Sequence, residues 1–177
     1  MTAKLLAQSL LSKPVTIPAP QPDEAALAEL AKALNERSRA KLGRSLTIRE
    51  VDAGSCNGCE LEIHALNNAF YDLERFGIKF VASPKHADVL MVTGVVTKNM
   101  EFAVKRAYEV TPDPKWIVAV GDCAAGCGVF TENYAHLGGV ASTIPVDLHI
   151  KGCPPQPIDL LKGLLALLET AAEGKRA

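Results

Sequence analysis

The sequence predicts a doubly wound α/β protein, in which helices cover both faces of a parallel sheet. Short runs of apolar and β-branched residues alternate along the chain with segments of helical apolar spacing, which is the order of βαβ units. The run at residues 89–94 is apolar almost throughout, as expected of a central parallel strand that is buried on both faces.

The elements of this sheet begin at residue 46. Apolar runs predict strands at 46–51, 78–81, 89–94, 116–121 and 146–150. Helical spacing of apolar residues predicts helices at 60–73, 99–110 and 158–172.

The N-terminal part has a different composition. Residues 12–23 hold four of the eleven prolines, which predicts an extended arm. Asp23 is then a helix N-cap, and apolar residues at helical spacing continue the helix to about residue 42. We therefore expect an N-terminal arm and helix at 1–45 and a single α/β domain at 46–177. The arm is either a packing element or a docking segment for a partner subunit.

Composition excludes several classes of protein. The chain has 177 residues and a net charge of −1, with no stripe of Lys and Arg that would neutralise nucleic-acid phosphates. Five cysteines without a secretory signal do not suit a secreted disulfide framework. The longest apolar stretch, near the C-terminus, is too short and too charged to span a bilayer. We expect a cytoplasmic protein whose contact with a membrane is made through partners.

The five cysteines carry most of the functional information. They fall into three loop-like segments, namely Cys56 with Cys59, Cys123 with Cys127, and Cys153 before two prolines. Each segment follows a predicted strand, and the carboxyl ends of parallel strands share one edge of the sheet. Several glycines in these loops would allow close approach of the backbone. The pattern favours one metal centre built from distant segments, with an iron–sulfur cluster held by four thiolates as the leading candidate.

Other interpretations stay open on the residues alone. A structural zinc site normally uses two compact cysteine pairs, whereas the second half here is split between residues 123 and 153. A redox dithiol at Cys56 and Cys59 would leave three cysteines unexplained. Cys127 is not needed for four ligands. It is either a small buried thiol beside the site or a fifth thiol that tunes the cluster or replaces a ligand.

Three motifs, taken in order, resemble a known family. The segments 56–62, 121–124 and 152–155, which read CNGCELE, GDCA and GCPP, resemble the small subunit of [NiFe] hydrogenases and the homologous 20 kDa subunit of respiratory complex I. The resemblance covers roughly residues 46–170. The complex I subunit has two adjacent cysteines at the first ligand site, whereas the CxxC here is the hydrogenase form. The sequence is therefore most similar to the small subunit of membrane-bound, energy-converting hydrogenases of the formate hydrogenlyase type.

The resemblance implies a flavodoxin-like sheet and one [4Fe–4S] cluster, proximal to the nickel–iron site of a separate large subunit. By the matching motifs, its ligands are Cys56, Cys59, Cys123 and Cys153. The implied partners are the [NiFe] large subunit, a ferredoxin-like iron–sulfur subunit and membrane subunits. No cysteine follows Cys153, so we expect a single cluster on this chain, located at the cytoplasmic face of the inner membrane.

Two acidic residues follow the CxxC directly. The resemblance favours Glu62 as a group that moves protons at the subunit interface, while Glu60 is more simply a helix N-terminal acid. The expected function is electron transfer in a hydrogenase that reduces protons or oxidises hydrogen. The alternatives are a complex I-type subunit that passes electrons to quinone and a zinc-stabilised structural protein.

Overall fold

The computed structural model describes residues 24–126, 128–130 and 133–174. The helices are α1 (Glu24–Leu42), α2 (Gly58–Ala65), α3 (Glu101–Val110), α4 (Asp122–Ala125) and α5 (Pro157–Gly174). The strands are β1 (Thr47–Asp52), β2 (Lys79–Phe80), β3 (Val89–Thr93), β4 (Trp116–Val120) and β5 (Leu148–Ile150). Short 3₁₀ turns occupy Leu73–Phe76, Pro84–His86 and Val140–Ser142.

The five strands form one parallel sheet in the order β2-β1-β3-β4-β5. This is the flavodoxin-like order of a doubly wound fold, and the predicted fold class is confirmed. The strand order reverses between β1 and β3, which makes the carboxyl ends of these strands the usual place for a ligand.

Helices cover both faces because the apolar strands alternate their side chains between two cores. Val89 and Met91 of β3 pack in one core with residues of α1, α2 and α5. Leu90 and Val92 pack in the other core with Val104 of α3. Every residue of β3 and β4 is buried, as predicted for central parallel strands.

The predicted helix at 60–73 is wrong at its C-terminal end. Helix α2 ends at Ala65, and the side chain of Asn68 then accepts hydrogen bonds from the N–H groups of Phe70 and Tyr71, at 2.9 and 3.0 Å. Such local bonds compete with the helical pattern, so the chain turns instead of continuing. Leu61, one of the apolar residues whose spacing predicts this helix, is 61% exposed.

Helix α1 extends the core from the N-terminal side. Leu27 and Leu34 are buried in the same core as the sheet, and Arg37 lies 3.9 Å from Glu169 of α5. The predicted N-cap Asp23 and the proline-rich arm lie outside the described residues. The division of the chain at residue 45 stays a prediction.

Ion pairing fixes the amino-terminal ends of β1 and β3. Asp88 is buried directly before β3, and its two carboxylate oxygens accept from Arg44 Nη1 and Nη2 at 3.0 and 2.5 Å. The same carboxylate accepts from the N–H and hydroxyl of Thr47, at 2.9 and 2.7 Å.

Within the ranges that the structure describes, no helix is long and apolar enough to cross a membrane.

Candidate metal centre

Three loops at one edge of the sheet bring four of the predicted cysteines together. Cys56 and Cys59 follow β1, Cys123 follows β4, and Cys153 follows β5. All four line one cavity of about 110 Å³. The rest of its lining is Ser55, Gly58, Gly94, Asp122, Phe130, Gly152 and Pro154. Cys127 lies outside the described residues.

Two glycines bring the backbone against the thiols. Gly121 has φ +91°, and a Cβ built on it would lie 2.6 Å from Cys59 Sγ. Gly128 has φ +52°, and its Cβ would lie 2.6 Å from Cys123 Sγ. Any larger residue at either position would displace a sulfur, and the positive φ angles also favour glycine. Glycine at these two positions therefore leaves the space that the two sulfur atoms occupy.

Side-chain hydrogen bonds shape the loop that carries the first cysteine pair. Asp52 Oδ1 accepts from the N–H groups of Gly54 and Ser55, at 2.7 and 2.8 Å. Asn57 adopts φ +70° and directly precedes α2, so the loop turns sharply between Cys56 and Cys59. The sequence reasoning missed Asp52, although Asp followed by Gly two residues later is a recognisable turn signal.

The four thiols differ in their exposure. Cys123 is 8% exposed and Cys59 is half-buried, whereas Cys56 and Cys153 are exposed. The cavity is therefore closed by protein on one side and faces solvent on the other.

Burial, together with the smaller effect of negative charge at Glu60 and the other three cysteines, raises the pKa of the Cys59 thiol to about 12. At neutral pH, Cys59 therefore keeps its proton until a metal binds. Since metals bind thiolates, occupation of this site must release that proton.

The two acidic residues of α2 lie in different environments. Glu60 is 5% exposed, and among the described residues neither of its carboxylate oxygens has a hydrogen-bond partner. Glu62, the residue favoured for proton movement, is half-buried, and its role stays a prediction.

A second acidic group, missed by the sequence reasoning, lies near Glu60. Burial raises the pKa of Glu50 in β1, His64 lowers it, and the charge of Glu60 raises it. Glu50 Oε2 lies 3.5 Å from His64 Nε2, and the His64 side chain is 70% exposed. No residue pattern in the sequence pointed to Glu50, because its position depends on the packing of α2 against β1.

The cavity residues fit an iron–sulfur cluster. The donors are four soft thiols, and glycines provide space beside two of them. Among the described residues, no three His, Cys, Asp or Glu side chains are grouped closely enough to hold one metal ion. A cubane cluster does not require such a group, since each thiolate binds a different iron atom.

Known proteins with similar sequences are oxidoreductase subunits. The chain is 47% identical over 132 residues to the probable membrane-bound hydrogenase subunit mbhJ of Pyrococcus furiosus, a match that covers 75% of this chain and 79% of that protein. It is 42% identical over 156 residues to formate hydrogenlyase subunit 7 of Escherichia coli, covering 86% of this chain and 60% of that protein. It is 45% identical over 119 residues to an NADH-quinone oxidoreductase subunit of Citrifermentans bemidjiense, covering 67% of this chain and 69% of that protein.

Among solved structures, this chain is similar to one in the membrane-bound sulfane sulfur reductase, an archaeal respiratory membrane complex. The match has a TM-score of 0.66 and 34% identity, and covers 81% of this chain and 77% of that chain. Residues 56–167 match the family model of the NADH ubiquinone oxidoreductase 20 kDa subunit. This matched segment contains all four cysteines of the cavity, and the predicted oxidoreductase class is confirmed. The chain belongs to the family of the NADH ubiquinone oxidoreductase 20 kDa subunit.

Proposed function

We propose that this chain is the electron-transfer subunit of a membrane-associated [NiFe] hydrogenase. In this proposal it holds one [4Fe–4S] cluster through Cys56, Cys59, Cys123 and Cys153, proximal to the nickel–iron site of a separate large subunit. The observation that carries the proposal is the convergence of these four cysteines on one cavity at the switch point of the sheet.

The chain contributes position and environment. Gly121 and Gly128 admit the sulfurs, while Phe130 and Pro154 contribute apolar surface to the lining of the cavity. When bound, the cluster supplies one-electron redox chemistry. The exposed side, at Cys56 and Cys153, is where electrons would cross to partner subunits.

Protons accompany electrons in hydrogen chemistry, and acidic residues of α2 lie close to this exchange. Glu62 keeps its proposed role in proton movement at the subunit interface. Glu60 is also a candidate for proton movement and should be substituted beside Glu62. It is buried next to Cys59, and its carboxylate has no hydrogen-bond partner among the described residues.

The form of the first cysteine pair favours a hydrogenase over a quinone-reducing complex. Two residues separate Cys56 from Cys59, whereas the two cysteines are adjacent in complex I subunits. Sequence identity does not make this distinction, since the relatives from the two classes are 47% and 45% identical to this chain. Quinone reduction is therefore the second candidate, and the partner's sequence tests it. A large subunit without nickel-ligand cysteines would move the function to quinone chemistry.

A zinc-stabilised structural protein is the alternative outside redox chemistry. One zinc ion would need four ligands, with its thiolates at about 2.3 Å. A structural zinc site normally uses two compact cysteine pairs, whereas the second half here is split between Cys123 and Cys153. This spacing favours a cluster over a single ion.

The proposed location of the protein follows from its proposed partners. We propose that it binds the [NiFe] large subunit, a ferredoxin-like iron–sulfur subunit and membrane subunits, at the cytoplasmic face of the inner membrane. The names of the relatives, which include a membrane-bound hydrogenase subunit and a chain of a respiratory membrane complex, support peripheral association.

Anaerobic purification of the complex with its partners tests the proposal. We expect iron and acid-labile sulfide in the proportion of a [4Fe–4S] cluster, and an EPR signal after reduction with dithionite. Cys123→Ser should lose most of the iron of this subunit, while Cys127→Ser, outside the proposed ligand set, should retain it. Zinc without iron and sulfide would refute the cluster.

A further inference from the structure

Asp122 connects two of the loops that carry cysteines. It directly precedes Cys123, and Gly152 directly precedes Cys153. The Asp122 N–H donates to the Gly152 carbonyl at 2.9 Å, and the Gly152 N–H donates to Asp122 Oδ1 at 2.9 Å. One residue therefore joins the loop after β4 to the loop after β5 with a reciprocal pair of hydrogen bonds.

The partner in this pair has little freedom to move. Gly152 has φ +139°, and a Cβ built on it would lie 2.5 Å from Pro155 Cα. The Gly121 N–H also donates to the Ile150 carbonyl at 2.7 Å, which ties the same two loops together. The peptide of Gly152 is thus held in one orientation, and the carboxylate of Asp122 accepts its N–H.

Asp122 also places a charge at the cavity, since it is one of the lining residues. Among the described residues, it is the only acidic side chain in that lining. Net charge and hydrogen bonding around a cluster both set its reduction potential, and a nearby negative charge stabilises the oxidised form.

We infer that Asp122 is a positioning residue that holds Cys123 and Cys153 at the spacing of the cluster, and that its charge lowers the cluster potential. This inference rests on the proposed function, because it concerns the cluster proposed above. Asp122 acts through the loops and the local field, and the geometry gives it no contact with a substrate.

Two substitutions separate the two effects. Asp122→Asn keeps an oxygen that accepts from the Gly152 N–H but removes the charge. We expect this variant to retain its iron and sulfide, with a midpoint potential higher than that of the wild type. Asp122→Ala removes both the acceptor and the charge, and we expect its iron release under a chelator to be faster by up to about tenfold, the effect of losing a solvent-exposed hydrogen bond.

Asp113→Asn is the matched control. Asp113 has a side chain that is 84% exposed and lies before β4, at the opposite end of that strand from Asp122. Asp113→Asn also removes one negative charge, but from a residue that does not line the cavity. We expect its potential and its iron-release rate to equal those of the wild type.

The measurements use the purified complex, with EPR-monitored redox titration and iron release followed by absorbance. An unchanged potential in Asp122→Asn, relative to Asp113→Asn, overturns the electrostatic role. Wild-type iron release in Asp122→Ala overturns the positioning role. If Asp122→Ala does not assemble, iron retention by Asp122→Asn at the level of the control supports the positioning role, because Asn keeps the acceptor of the Gly152 N–H. Failure of both variants to assemble counts against that assignment. A wild-type complex without iron and sulfide on this subunit would instead refute the proposed function.

Discussion

Replacing Gly121 by alanine puts a methyl group where the structure has a sulfur. The new Cβ would lie 2.6 Å from Cys59 Sγ, and the residue would keep φ +91°. With ψ 160°, this backbone conformation lies in a region that glycine alone adopts readily, and it costs an L-residue about 1–3 kcal/mol. Overpacking adds about 1–3 kcal/mol, so we expect Gly121→Ala to lower the free energy of unfolding by about 2–6 kcal/mol and to displace the Cys59 thiol from the cavity.

Gly138→Ala separates the cost of the backbone conformation from the cost of overpacking. Gly138 also has a positive φ, at +97°, but a Cβ built on it meets no atom within 4 Å. Its expected cost is the backbone part alone, about 1–3 kcal/mol.

The assay is urea unfolding of the anaerobic protein, together with its iron content. Gly121→Ala should lose iron, whereas Gly138→Ala should retain it. If the two variants were equally stable and both retained full iron, the close approach of Gly121 to Cys59 would have no role in the site.

Three further predictions follow from other parts of the chain. Asp88→Ala should lower the free energy of unfolding by about 1.5–3 kcal/mol, because it removes the buried carboxylate that accepts from Thr47, while the exposed Arg44 is solvated by water; urea unfolding against Asp113→Ala measures this loss. Leu164→Ala in α5 should cost about 2–5 kcal/mol through the cavity that it opens in a fully buried position, measured in the same way. The metal-free chain should lose stability as pH rises from about 9, the ordinary pKa of a thiol, to about 12, because the folded state keeps the Cys59 proton that the unfolded chain releases. The Cys59→Ser variant should lack this part of the pH dependence, and an equal slope in both proteins would contradict the assigned cause.

Sequence patterns predicted the central sheet well because burial acts on every residue there. The runs that became β3 and β4 were predicted to within one residue, since strands buried on both faces must be apolar throughout. The placement of the cysteine loops at one edge followed from the same parallel topology.

Local and long-range contacts explain what the sequence did not reveal. Helix α2 ended early because Asn68 bonds to nearby backbone N–H groups, an effect that apolar spacing does not register. Leu61 of α2 is exposed whereas the neighbouring Glu60 is buried, since the rotation of α2 is set by its packing on the sheet. The pairing of Gly121 with Cys59 joins loops from two different strands, and no local pattern encodes it.

The same chain type serves complexes with different chemistry, and the structure suggests why. The relatives bear the names of a membrane-bound hydrogenase, a formate hydrogenlyase, a quinone oxidoreductase and a sulfur reductase complex. The inner side of the proposed cluster site carries the buried Cys123 and the half-buried Cys59, which Gly121 approaches closely. Its outer side, at Cys56 and Cys153, is open to whichever subunit docks there. A scaffold that fixes the electron carrier and leaves one side open can keep its fold while the partner determines the reaction, so the loop at Cys56, the exposed end of the CxxC, is where this chain would adapt to its partner.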